Sequence, residues 1–150
     1  MIVKSLDHLN KISKTILKKL ANGDYIFLIG EIGVGKTTLT RYLINNLQIQ
    51  KGLKTTEVLS PTFNLLYEYQ INDLKIMHYD LYRIKKIKEL DHLGIFSENE
   101  KTVKIIEWPD LIKTPLRNKL EIYIEYGKKD NERKIEVHGS GKWKDFKNEV

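Results

Sequence analysis

The chain has 150 residues, 41% hydrophobic and 31% charged, with a formal net charge of +6 and no cysteine. A chain of this length folds as one domain, residues 1–150, and buries about 68–70% of its unfolded surface. Disulfides, cysteine–zinc sites, thiol catalysis and iron–sulfur clusters are excluded, and a reducing cytoplasm is the expected compartment. No apolar run approaches the ~20 residues of a membrane span, and the first residues lack a signal-peptide core, so no membrane partner is expected. A basic balance could favour an acidic partner such as RNA, but the lysines are mixed evenly with acids, which reads as a solvated surface, and no DNA partner is expected.

In chain order, Leu6, Leu9, Ile12, Ile16, Leu17 and Leu20 fall on one helical face opposite Lys11, Lys14 and Lys18. Ser5 is placed to cap this helix and Gly23 to stop it. Residues 25–29 form an apolar run of β-formers, as in a buried strand. Glycines follow, and then Leu39, Leu43, Ile44 and Leu47 mark a second helix. Residues 55–59 are expected to be a strand ending at Ser60-Pro61. The alternation of Tyr67, Tyr69 and Ile71, resumed by Leu74, Ile76 and His78 after Asn72-Asp73, predicts a hairpin. Residues 84–93 read as a short polar helix closed by Gly94, and 103–106 as another strand, stopped by Glu107-Trp108-Pro109. Leu120, Ile122, Ile124 and Tyr126 alternate as a strand that pairs with Ile135 and Val137 across residues 127–131. The expected fold is α/β, P-loop NTPase-like, with a mixed sheet flanked by helices in a single domain.

Gly30-Glu31-Ile32-Gly33-Val34-Gly35-Lys36-Thr37 satisfies G-x-x-x-x-G-K-[ST] at every fixed position, between a strand and a helix. Glycines let consecutive backbone N–H groups turn inward around phosphate oxygens, and the helix start adds partial positive charge. Lys36 reaches the terminal phosphates as a point charge, and the Thr37 hydroxyl is a ligand for Mg²⁺. Residues 33–38 (Gly33, Val34, Gly35, Lys36, Thr37 and Thr38) are therefore the expected nucleotide cradle. Phosphoryl chemistry also needs an acid to organise the metal. Asp80 and Glu107 both end apolar strands, where a phosphate loop also lies, and each is a candidate; a strand-end cap explains either one equally well. Trp108 beside Glu107 either borders the nucleotide or packs in the core. Asn118-Lys119-Leu120-Glu121 is a poor guanine-reading motif, because it opens a strand and ends in Glu. The histidines lack metal-ligand spacing, and His78 reads as a packed strand residue.

The phosphate loop with Thr38, Ser60-Pro61-Thr62-Phe63, His78-Tyr79-Asp80-Leu81-Tyr82-Arg83, Glu89-Leu90 before Gly94, and Ile106-Glu107-Trp108-Pro109 occur in this order. Together they resemble the TsaE (YjeE) family of small P-loop ATPases in tRNA threonylcarbamoyladenosine synthesis, over nearly the whole chain. The resemblance implies ATP and Mg²⁺ as cofactors and Lys36 and Thr37 as phosphate and metal residues. It implies a switch-like Thr62, a Walker-B-like Asp80 and a Mg²⁺-associated Glu107. Glu31 and Val34 stand where the family usually has aspartate and alanine, and neither change removes a phosphate contact. The implied role is an ATPase, weak alone, that supports a TsaB–TsaD-like pair. The alternative is a small P-loop kinase acting on a small molecule or nucleoside.

Overall fold

Strand β1 (Ile2–Val3) and helix α1 (Leu6–Leu17) begin the computed structural model, which describes residues 1–97 and 101–150. Ser5 caps α1 as expected, its hydroxyl accepting the His8 N–H at 3.2 Å. Leu9, Ile12, Ile16 and Leu17 are buried along one stripe, each worth about 1.5–3 kcal/mol of removed apolar surface. Leu6 departs from that expectation and is exposed. Gly23 does not stop the helix. The helix closes at Lys18, and Gly23 forms the turn into the next strand with a positive φ of 85°.

Strand β2 (Tyr25–Ile29), helix α2 (Lys36–Gln50), the hairpin β3 (Leu66–Ile71) and β4 (Leu74–Asp80), then β5 (Thr102–Glu107), β6 (Lys119–Tyr126) and β7 (Arg133–Gly139) follow. Among the described residues these strands make one sheet in the order β1-β7-β6-β2-β5-β4-β3. The interior is parallel: β2 lies between β6 and β5, and β4 runs beside β5. The margins are antiparallel, because β3, β7 and β1 join by hairpin or edge pairing. A parallel interior forces the chain to cross over the sheet, and α2 makes the first crossover.

Alternate residues of the inner strands point to two apolar layers. Ile26, Leu28, Ile76, Val103 and Ile105 pack beneath α1 and α2. Phe27, Met77, Tyr79 and Ile106 face the other way, covered by Leu81, Ile84, Leu90, Ile95 and Ile112. Trp143 and Phe146 are fully buried in the first layer and meet edge to face at 5.1 Å.

Two local expectations change. Residues 55–59 form no strand. The Thr56 N–H donates to the Gln48 side chain and the Val58 carbonyl accepts from Arg41, so α2 side chains take the groups a ladder would have used. The expected helix at 84–93 is a 3₁₀ turn, Ile87–Leu93, closed by Gly94 with φ of 68°. The edge strand β1 has only two residues, below the length at which alternation is readable.

Candidate functional site

The loop between β2 and α2 sits at the carboxyl end of the central strand. Gly30 has a φ of 154°, and a Cβ there would run into the Ile124 carbonyl oxygen of β6, so only glycine lets the loop leave the strand so close to its neighbour. Gly35 adopts φ of 120° immediately before the first turn of α2, a conformation costly to any residue with a side chain. The loop is tied from β6 and β7. The Tyr126 hydroxyl donates to the Ile32 carbonyl at 3.0 Å, and Arg133 Nε donates to the Val34 carbonyl at 2.9 Å. The Arg133 guanidinium also lies 4.5 Å from the Tyr126 ring centre. Motif spacing does not reveal these two clamps, because they come from strands 94 and 99 residues further along the chain.

Lys36 is buried, with 4% of its surface exposed. Its Nζ donates to the Gly30 and Glu31 carbonyls at 2.7 and 2.8 Å and lies 4.3 Å from the Trp108 ring centre. Burial holds this lysine below its ordinary value, with the charges of Glu107 and Asp80 opposing that shift. Thr37, the next residue, donates its hydroxyl to Glu107 Oε1 at 2.9 Å.

The two strand-end acids stand side by side because β4 and β5 are parallel and pair Asp80 with Glu107. Both are nearly fully buried. Asp80 Oδ2 accepts the Ser60 and Thr62 hydroxyls at 3.2 and 3.0 Å, and Oδ1 accepts the Tyr82 N–H at 2.9 Å. Glu107 Oε1 also meets His78 Nε2 at 2.8 Å. Trp108 then turns sharply, with φ and ψ both 58°, a left-handed conformation that costs a non-glycine residue about 1–3 kcal/mol. The turn leaves its indole between Lys36 and Tyr82, whose ring centre lies 4.9 Å away.

A cleft of about 360 Å³ is lined by Gly33, Gly35, Lys36, Thr37, Thr38, Ser60, Thr62, Asp80, Tyr82, Glu107 and Trp108. It brings together nearly every residue picked out in the sequence. Val34 is the exception, since its side chain is buried in the core and only its backbone belongs to the loop. Trp108 borders the cleft rather than the core interior. Ser60, Tyr82 and His78 are not among the expected site residues; all three lie inside the family-like motifs, and the sequence reads His78 as a packed strand residue. Fixed amides, a buried ammonium and a hydroxyl–carboxylate pair can bind a polyphosphate with its cation.

A second cavity, of about 270 Å³, begins at the same loop. Gly33, Gly35 and Thr38 line one side, with Leu6, Leu9, Ile124 and Arg133 opposite.

The sequence profile of a family described as threonylcarbamoyl adenosine biosynthesis protein TsaE matches residues 3–135. A protein of Rickettsia felis named tRNA threonylcarbamoyladenosine biosynthesis protein TsaE is 34% identical over 113 residues; the match spans 75% of this chain and 64% of that protein. The chain thus matches less than two thirds of that relative's length. A protein of the same name from Aquifex aeolicus is 30% identical over 138 residues, spanning 92% of this chain and 94% of its own. Among solved structures, YdiB from Bacillus subtilis superposes with a TM-score of 0.72 at 26% identity, over 99% of this chain and 90% of the other.

Proposed function

This chain belongs to the TsaE family, and on that premise we propose that it binds and hydrolyses Mg²⁺–ATP in support of tRNA threonylcarbamoyladenosine synthesis in the cytoplasm. One observation carries the reading. The Thr37 hydroxyl of the phosphate loop is bonded to Glu107, and Glu107 is paired in register with Asp80, in the cleft that also holds Lys36. A hydroxyl, two carboxylates and a buried ammonium around glycine amides are the donor set that a nucleoside triphosphate with Mg²⁺ requires.

Each residue then has a defined task. The amides of residues 33–38 and the start of α2 bind phosphate oxygens. Lys36, held by its bonds to two loop carbonyls, presents a single charge to the terminal phosphates. Thr37 and Glu107 would hold the metal, with Asp80 beside them. The metal would supply charge neutralisation across those phosphates. Thr62, held on Asp80, couples the Ser60–Pro61 loop to the carboxylate that faces the nucleotide. The second cavity, with Leu6, Leu9 and Ile124 on its walls and Arg133 at its edge, suits the flat apolar base of ATP.

Two exposed apolar side chains beside the site, Ile32 on the loop and Phe63 next to Thr62 (81% exposed), favour a protein partner over free turnover. We assign that partner to a TsaB–TsaD-like pair, with tRNA contacted through it. Phosphate release is the test, measured with the chain alone, with the pair, and with nucleosides or small alcohols as acceptors. Slow release alone and faster release with the pair are expected. A phosphorylated acceptor would instead make the protein a kinase.

Thr37→Ala separates metal binding from phosphate binding. ATP affinity should fall about tenfold with Mg²⁺ present, a 1.4 kcal/mol loss, and change little in EDTA. Calorimetry in both buffers reads the difference. Equal losses would make Thr37 only a helix-start residue.

A further inference from the structure

His78 lies on β4 two residues before Asp80, on the face that packs beneath α2. The parallel register pairs it with Ile105 of β5, so Glu107, two residues further along, is its diagonal neighbour on the same face. The imidazole is fully buried. Its Nε2 lies 2.8 Å from Glu107 Oε1, the oxygen that also accepts the Thr37 hydroxyl at 2.9 Å. Its Nδ1 is buried with no hydrogen-bond partner among the described residues.

The distance to Glu107 sets the direction of that contact. A carboxylate oxygen in that position can only accept, so Nε2 carries the proton and donates. A packing role does not account for this arrangement. The flanking positions on the face, Ile76 and, across the register, Ile105, are plain aliphatic residues. An aliphatic residue at 78 would fill the same layer without burying an unpaired ring nitrogen. The imidazole is therefore explained by what its other nitrogen does.

We propose that His78 is a positioning residue for the metal carboxylate: its Nε2–H and the Thr37 hydroxyl clamp Glu107 Oε1 from two sides and fix the rotation of that carboxylate toward the cation. The proposal rests on the Mg²⁺–ATP reading. One donor comes from the sheet and the other from the first turn of α2, so the carboxylate is located relative to the phosphate loop as well as to its own strand. A carboxylate so held needs no reordering when a cation arrives, which tightens metal binding without adding a ligand.

The test uses the full chain and three readouts. In the nucleotide-free protein, long-range ¹⁵N–¹H correlation spectra should show a proton on His78 Nε2; a bare Nε2 would overturn the proposal whatever the site binds. In calorimetry, His78→Leu should raise the Mg²⁺ concentration for half-maximal tightening of ATP about tenfold, with affinity in EDTA unchanged within about twofold. His78→Gln, whose amide nitrogen can stand near the Nε2 position, should recover most of that loss. Equal defects in the two variants, or a matching loss in EDTA, would make His78 a packing residue. In a Glu107→Gln background an amide oxygen can still accept both donors, but the charged metal ligand that the clamp orients is lost, so the His78→Leu effect on Mg²⁺ should disappear; an undiminished effect overturns the proposal. Wild-type protein that binds ATP identically with and without Mg²⁺ would instead overturn the metal reading beneath it.

Discussion

Lys36→Ala is expected to lose ATP binding by about 150-fold or more, because a charge-assisted contact to phosphate carries about 1.5–3 kcal/mol and Lys36 is aimed at more than one oxygen. The residue is held for that task. Its ammonium is bonded to two loop carbonyls and lies against the Trp108 ring, so its long chain is ordered in advance and little rotamer entropy remains to be lost. Alanine also removes the donor shared by Gly30 and Glu31, and part of the loss will come from a looser loop. Lys36→Arg distinguishes the two effects. It keeps the charge but replaces a compact ammonium with a planar fork that cannot sit between the same two carbonyls. Calorimetric titration with ATP should show both variants defective while their thermal unfolding stays near wild type. An arginine variant that binds normally would mean that charge alone matters, and an alanine variant that binds normally would remove the phosphate-loop assignment.

The legible parts of this protein are those in which chemistry and spacing are local. The phosphate loop reads directly, because glycine conformations, one lysine and one hydroxyl must fall within eight consecutive residues. The helix stripes at Leu9, Ile12 and Ile16 and at Leu39, Leu43 and Leu47 read for the same reason, since one turn links each residue to the next. Asp80 and Glu107 read only as acids at strand ends. That they are neighbours depends on a parallel register between strands separated by more than twenty residues, which no window of sequence contains. His78 was hidden by its own alternation: a buried strand position predicts packing, and only the register sets its ring against Glu107. Tyr126 and Arg133 clamp the loop from the far side of the chain, and no local signal marks them. Residues 55–59 failed in the opposite direction. Their β-branched composition is strand-like, but Gln48 and Arg41 of α2 satisfy backbone groups there, and the segment becomes the approach to Ser60 and Thr62.

The paired acids carry the second large effect. Glu107→Gln keeps the volume and offers an amide oxygen to both Thr37 and His78, so the clamp survives while the negative charge goes. Asp80→Asn keeps an acceptor for the Tyr82 N–H or for the two hydroxyls, but its NH₂ group then opposes one set of donors. The charge beside the metal would be lost in both, and phosphate release at saturating ATP should fall at least about tenfold, some 1.4 kcal/mol of barrier. The two should differ in how they fail. Glu107→Gln should demand more Mg²⁺, since Glu107 is joined to the Thr37 hydroxyl. Asp80→Asn should leave the Mg²⁺ requirement closer to wild type and loosen the Ser60–Thr62 loop, which hydrogen exchange of that segment can follow. Both proteins should unfold near the wild-type temperature, because neither substitution opens a cavity in the layer beneath α2. If both amides release phosphate at the wild-type rate, with the partner pair present, these carboxylates are strand caps and the hydrolytic site lies elsewhere. If only Asp80→Asn is silent, Glu107 alone holds the metal, and the register pairing of the two acids serves the loop rather than the chemistry.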